Sequence, residues 1–378
     1  MTRILILGGG FGGLATAHRL VKETIPDLEI ILIDQQETFA VGFRKTWTLL
    51  GSDPDEGTGQ LSNLEKKGIR RVPGKITSID PMRKTVKINQ EEQAGDHLVV
   101  ALGAELVPES IPGFRDYAHS VYNRRDIPQA ARALRQFEGG KIIVGIFGNP
   151  YTCPPAPYEI ALLVNEKLKM SGLQASLTVF TPLPMSLPIL GSAGCSVIED
   201  RLANAGISFL ANHSARAVEE GHVLFMNGVG LPFDLLLGVA PHRAPEVVRM
   251  SGLTDGGDWI PVDSETLETR FPGVYAIGDV NQVKMANGKP LPKAGVFAEG
   301  EGLVVAERIL ATLAGKKPSA VFEGKGGCFL EIGGKLAVKI EGHFLAHPEP
   351  VVSLSEASPV YLEEKLQFEK DRLTDWLD

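Results

Sequence analysis

Cysteine is scarce in this chain of 378 residues: Cys153, Cys195 and Cys328 are the only three. Three are too few for a disulfide scaffold, and no pair has the C-x-x-C spacing of a zinc site. His213, His222, His242, His343 and His347 also lack ligand-like spacing, so no metal site is expected. A basic excess is missing as well. Lys and Arg number 38 against 46 Asp and Glu, a formal charge of −8. Phosphate backbones require clustered Lys and Arg, so this balance argues against nucleic acid as a partner. It argues more weakly against an anionic membrane surface. No apolar run approaches the ~20 residues of a membrane-spanning helix. The opening run Ile4-Leu5-Ile6-Leu7 stops at Gly8, too short for the core of a secretion signal. A cytoplasmic chain is the expectation.

What is present is ordinary in bulk and specific in detail. Apolar residues make up 43% and charged residues 22%, as in a soluble globular protein. The length predicts two or three domains. The 42 glycines and 25 prolines fall in short clusters, which read as tight turns.

The first cluster follows the first aliphatic run. Gly8-Gly9-Gly10-Phe11-Gly12-Gly13 contains G-x-G-x-x-G at Gly8, Gly10 and Gly13. Leu14, His18 and Val21 then recur at helical spacing. A second run, Ile30 to Ile33, ends in Asp34, 26 residues after Gly8. Strand, glycine turn, helix, strand and terminal acid in this order form a dinucleotide-binding fingerprint. Gly8 permits the turn, Gly10 lets the backbone approach a pyrophosphate, and Gly13 lets helix and strand pack closely. The helix N-terminus offers N–H groups to phosphates. Asp34 is placed for ribose hydroxyls.

A second passage, Phe271 to Val280, reads as a strand ending in Gly278-Asp279. It resembles the second flavin motif of flavoproteins with two dinucleotide-binding domains. A helix from about Gly295 to Leu313 would aim its N-terminus at the flavin pyrimidine. His97 to Ala104 resembles the crossover of the same proteins, with Ala101 and Gly103 in place and Leu102 where Thr is usual. These pieces imply FAD, bound in a discontinuous domain of residues 1–105 and 255–320. Residues 106–254 then form an inserted Rossmann-like domain, and 321–378 a C-terminal α+β segment. Within the insert, Lys141 to Phe147 reads as a buried strand. The turn after it, Gly148 to Glu159, carries four prolines and Cys153. Proline has no N–H to give a phosphate, so no NAD(P)H site is expected there.

Four passages resemble the sulfide:quinone oxidoreductases and the flavoprotein subunit of flavocytochrome c sulfide dehydrogenase. They are Gly8 to Gly13, Cys153 to Glu159, Pro292 to Glu299, and Gly326 to Glu331. The resemblance implies an α/β fold of two Rossmann-like domains in a glutathione-reductase-like tandem. It implies that Cys153 and Cys328 form a redox-active disulfide beside FAD. Sulfide would attack one sulfur, leaving a persulfide on Cys153 and a thiolate on Cys328. Electrons would pass through FAD to a quinone. Glu159 matches a family acid that moves protons, and His119 lies where relatives often carry a polar proton-handling residue. Lys293 is expected at the O2 edge of the flavin. Phe11, Gly12 and Gly295 complete the implied cofactor contacts. Relatives that carry a third cysteine near the crossover, or a cysteine linked to FAD, are not matched here. FAD is therefore expected to be noncovalent.

Other readings stand beside these. Cys195 precedes a helical pattern and reads as structural. Tyr361 to Asp378 reads as a helix with Leu362, Leu366, Leu373, Trp376 and Leu377 on one face. That face suits core packing, a subunit contact in a homo-oligomer, or peripheral contact with the inner face of a membrane. Its net charge of −3 is unusual for an interfacial helix. Trp47 suits either a quinone channel or the core. A soluble sulfide dehydrogenase, an NAD(P)H dehydrogenase and a silent FAD-binding partner subunit remain as alternatives to quinone reduction.

Overall fold

The computed structural model describes residues 1–378. The chain begins with β1 (Thr2–Leu7), α1 (Phe11–Val21), β2 (Leu28–Asp34), α2 (Arg44–Leu50), β3 (Arg70–Pro73) and β4 (His97–Val100). It continues through β5 (His119–Ser120), β6 (Gly140–Ile146), α3 (Ala156–Met170), β7 (Ala175–Phe180), β8 (Ile207–Leu210) and β9 (Leu235–Val239). The last part holds β10 (Val274–Ala276), α4 (Gly295–Leu313), β11 (Lys325–Gly333), β12 (Leu336–His343), β13 (Val351–Leu354) and α5 (Val360–Leu377). Short two- and three-stranded pieces fill the connections.

Two five-stranded sheets organise the molecule. The first has the order β10-β4-β1-β2-β3 and is parallel throughout. The second has the order β5-β9-β6-β7-β8, also parallel. Parallel strands are covered on both faces, which explains their unbroken aliphatic runs. Ile4, Ile6 and Leu32 face the layer of α1 and α4, while Leu5, Leu7 and Ile31 face Val86 and Trp259. The chain leaves the first sheet after β4, builds the second, and returns at β10. This is a pair of Rossmann-like units.

Close backbone approaches set the first unit. Gly8 has φ 108°, and a Cβ there would lie 2.3 Å from the Ala101 carbonyl oxygen. A Cβ on Gly13 would lie 1.9 Å from the Gly8 oxygen, so α1 can start this near β1 only with glycine. The Thr16 hydroxyl donates to the carbonyls of Gly12 (2.8 Å) and Gly302 (3.2 Å), locking α1 against α4.

The antiparallel sheet β11-β12-β13 shares a core with the second unit through Leu330, Ile332, Val338 and Ile340. Helix α5 returns to the first unit, where Trp376 and Leu377 are buried. Its inner face differs from the expected one. Lys365, Glu369, Trp376 and Leu377 are buried, while Leu366 is exposed. Reading only the apolar positions missed two charged residues that turn inward to meet partners.

Candidate active site

In both parallel sheets the strand order reverses beside the central strand, between β1 and β4 and between β6 and β9. Ligand crevices form at the carboxyl ends of strands at such points. One cavity of about 1160 Å³ touches the loops at both places. Its cofactor end is built from the predicted residues. Gly8, Gly10, Phe11, Gly12, Asp34, Ala101 and Gly103 all lie on its wall, as do Gly278, Asp279 and Gly295. Gly13 does not, because its part is to seat α1 on β1.

The wall fits a dinucleotide. Nothing lies within 4 Å of a Cβ built on Gly10, so a phosphate can approach the backbone there. Helix α1 has no side-chain cap, which leaves its first N–H groups for an anion. Helix α4 likewise starts uncapped at the wall. The Oδ1 of Asp279 is buried without a hydrogen-bond partner, as expected of a group whose partner is a ligand. Asp34 is engaged differently: its Oδ2 accepts from the Gly9 amide (2.5 Å) and its Oδ1 from the Gln36 amide (2.7 Å). The Phe11 ring packs against Phe39, Phe368 and Trp376, and Gly295 leaves room for it.

Both cysteines of the expected pair lie on the wall of the same cavity. Cys153 lies in the loop between β6 and α3, and Cys328 on β11; both are free thiols and both wall the cavity. The Cys153 loop is stitched in place. Its amide donates to the Lys293 carbonyl (2.7 Å), and its own carbonyl accepts from the Tyr122 hydroxyl (3.0 Å) and the Ala156 amide (3.0 Å). Cys153 has φ 49°, a left-handed conformation that L residues seldom adopt and that surrounding bonds must hold. Burial pushes its thiol up to about 11, and Glu159 adds to this; Lys45 and then Lys365 oppose. Burial also raises Cys328, with further push from Cys153 and Glu159. Cys328 therefore feels the charge of Cys153.

Glu159 sits in the first turn of α3 and is buried. Its Oε2 accepts from Lys365 Nζ (2.9 Å) and from the Glu331 amide (2.9 Å). Lys365 also donates to Glu331 Oε1 (2.7 Å), which the Trp47 indole N–H shares (2.7 Å). Burial raises the Glu159 carboxyl; Lys365 opposes this and Glu331 reinforces it. Burial works against the Lys365 charge, but the two carboxylates together raise its pKa. One buried ammonium thus bridges two carboxylates.

Lys293 walls the cavity but is pinned. Its Nζ donates to the carbonyls of Asp279 (2.6 Å) and Asn281 (2.9 Å) and lies 3.5 Å from the Trp259 ring centroid. Burial lowers it to about 8, against Asp279 and Glu301. His119 does not wall the cavity. It lies on β5 in register with Leu237, and the chain reaches the wall only at Val121. Burial lowers its pKa. Cys195 is buried in the Gly191–Asn204 helix, with its thiol donating to the Leu187 carbonyl. No three His, Cys, Asp or Glu side chains converge as a metal ligand set.

Sequence reasoning missed Lys45, Glu301 and the role of His242. None had a spacing signal, because each acquires its partners only in space. Glu301 lies in α4, with Oε2 accepting from the Gly278 amide (2.5 Å) and Asn281 Nδ2 (2.8 Å). Burial pushes it up to about 8. Between its ordinary pKa near 4.5 and about 8, the unfolded chain releases this proton while the folded chain keeps it. Folding stability is therefore lost as pH rises through that window. Glu301→Gln should remove this slope. Relative to the parent, the variant gains stability on the order of 3 kcal/mol between pH 5 and 8.5 in urea unfolding. Parallel pH dependences for the two proteins would contradict the assignment.

Comparisons with known proteins agree with this fold. Residues 2–302 match the pyridine nucleotide-disulphide oxidoreductase family. The mitochondrial sulfide:quinone oxidoreductase of Mus musculus is 21% identical over 363 residues, covering 91% of this chain and 79% of that protein. The sulfide-quinone reductase of Aquifex aeolicus is 26% identical over 339 residues, covering 81% and 76%. The crystal structure of the Aquifex aeolicus sulfide:quinone oxidoreductase superposes with a TM-score of 0.88 at 24% identity, over 98% of this chain and 90% of that one. Since the family match spans most of the chain and the cavity wall suits FAD, this protein belongs to the pyridine nucleotide-disulphide oxidoreductases and is an FAD-dependent oxidoreductase.

Proposed function

We propose that the chain oxidises sulfide, with Cys153 and Cys328 as a redox-active pair and a quinone as final electron acceptor. The observation that carries this reading is that two cysteines far apart in the chain line one cavity together with buried Glu159. The names of the relatives support it. In the oxidised pair, hydrosulfide attacks one sulfur. A new S–S bond forms on Cys153, the Cys153–Cys328 bond breaks, and Cys328 leaves as the thiolate. FAD, when bound, supplies a two-electron acceptor for that thiolate. Glu159 takes up the proton of the incoming hydrosulfide at its carboxylate. The backbone at Gly10 and the start of α1 hold the pyrophosphate, Asp34 faces the ribose, and Asp279 takes a cofactor hydroxyl on its open Oδ1. In this reading residues 1–105 and 255–320 form the FAD domain, 106–254 the second Rossmann-like domain, and 321–378 the segment that brings Cys328.

Anaerobic sulfide should bleach the flavin absorbance, and a quinone analogue should restore it with turnover. NADH should do neither, because the prolines of the Gly148 to Glu159 turn offer a phosphate few N–H groups. Bleaching by NADH and not by sulfide would sink the reading.

The location of the acceptor turns on α5. No helix is long and apolar enough to cross a membrane. Trp376 and Leu377 already lie in the core, and burying such side chains contributes about 1.5–3 kcal/mol each. This favours a second reading, in which electrons leave to a soluble carrier. Flotation of the holoenzyme with anionic liposomes separates the two: peripheral docking carries it to the top fraction, and transfer to a soluble carrier leaves it at the bottom.

A further inference from the structure

The cavity wall contains a cation whose bonding is incomplete. Lys45, on α2, donates one hydrogen bond from Nζ to the Tyr122 carbonyl (3.1 Å) and lies 5.1 Å from the Tyr122 ring centroid. The ring attracts the charge by cation–π interaction, but neither contact is an anion. The two fully buried lysines of the site differ. Lys365 is held between two carboxylates, and Lys293 by two carbonyls and the Trp259 ring. An ammonium has three donors, so Lys45 keeps N–H capacity for something in the cavity.

Its surroundings point that capacity toward Cys153. The Tyr122 that carries Lys45 also binds the Cys153 carbonyl through its hydroxyl (3.0 Å). The neighbouring His242 ring stands edge-on to Tyr122 at 5.7 Å. His242 is not a second cation. Its Nδ1 donates to the Ala240 carbonyl (2.8 Å), so Nε2 accepts from the Thr152 hydroxyl (3.2 Å), and burial lowers the ring to about 3. The charged groups facing Cys153 are thus Lys45 from α2, Lys365 from α5 and Glu159 from α3, with Cys328 opposite on β11. Burial works against the Lys45 charge, which Cys153 and then Asp279, from the cofactor side, favour. Glu159 and Glu331 more than neutralise Lys365, so the positive charge left for a sulfur anion is that of Lys45.

We propose that Lys45 forms an anion subsite beside Cys153, which holds the terminal negative charge of a persulfide or longer sulfane-sulfur chain carried on that residue. The proposal rests on the reading of Cys153 as the sulfur carrier. It makes Lys45 a positioning residue that keeps the chain's outer sulfur in the cavity while the inner sulfur stays bonded. A desolvated cation next to a thiolate stabilises the anion and leaves the neutral thiol unaffected.

The test is thiol chemistry and needs no turnover. In the holoenzyme of Cys328→Ser, Cys153 is the only thiol on the cavity wall. Its alkylation by iodoacetamide is followed against pH by mass spectrometry. Adding Lys45→Met should slow alkylation about tenfold at every pH below the midpoint, equivalent to a thiol pKa about one unit higher. Lys45→Arg keeps the charge and should stay within about twofold of the parent. In the parent, millimolar thiocyanate, a linear monoanion, should protect Cys153. Equal rates for Lys45→Met and its parent overturn the proposal, as does an arginine variant as slow as the methionine one. If the methionine variant does not retain FAD, absence of thiocyanate protection in the parent overturns it alone. A cation-dependent thiol in a protein that sulfide cannot reduce would leave the subsite standing and remove the sulfide reading.

Discussion

Cys153→Ser and Cys328→Ser are each expected to abolish flavin reduction by sulfide while leaving FAD bound. The reason is the bond that must break. Sulfide attack needs an S–S bond whose leaving group is a thiolate, and a serine in either place removes that bond. Removing a nucleophilic partner of this kind lowers rates by orders of magnitude, here at least about a thousandfold. FAD should survive because the Gly8–Gly10 turn, Asp279 and the start of α4 lie on other parts of the wall. Folding should survive because Cys153 and Cys328 are only half-buried. Cys195→Ser is the control, since that thiol lies in the core and off the cavity. Stopped-flow absorbance with anaerobic sulfide checks all three. A serine variant at 153 or 328 reduced within tenfold of the parent rate would end the redox-pair reading.

Lys365→Met should cost about 3–5 kcal/mol of folding stability at pH 8, the scale of a broken buried ion pair. Lys365 is 1% exposed and bridges Glu159 and Glu331. Without it, two carboxylates share a buried site with only the Trp47 N–H and the Glu331 amide to satisfy them. Burial and Glu331 already raise Glu159. Loss of the ammonium removes the main opposing influence, so Glu159 binds its proton to higher pH. The cost should therefore grow from pH 6 to pH 9, as protons that relieve the repulsion are lost. Glu159→Gln in the same chain should recover most of the loss, because one carboxylate and one amide need no cation between them. Urea unfolding of the three proteins at both pH values measures this. A Lys365→Met loss under about 1 kcal/mol with no pH dependence would show that the triad carries little charge.

Much of the frame is legible in the amino-acid order. Helix α4 runs Gly295–Leu313 as the pattern predicts, and the strand expected over Lys141 to Phe147 is β6, Gly140–Ile146. These segments carry their own signals: aliphatic runs for buried parallel strands, glycines at tight turns, and a proline opening a helix. The terminal helix was placed correctly but its buried face was not. Hydrophobic periodicity counts apolar residues, and half of that face is Lys365 and Glu369, which are inside because Glu159, Glu331 and Arg44 meet them there. His119 is placed only by its position in the chain, and the cavity edge begins two residues later, at Val121.

The amino-acid order by itself determined the Rossmann units, the pyrophosphate turn and the replacement of the second such turn by prolines. Each depends on neighbours a few residues apart, where steric limits on backbone angles act directly. Only the tertiary structure decided that Lys45 stands over Tyr122 on the cavity wall, that Lys293 is tied to two carbonyls, and that Lys365 closes a triad with two acids. Charges interact through space with a strength set by distance and burial, and neither quantity is written along the chain.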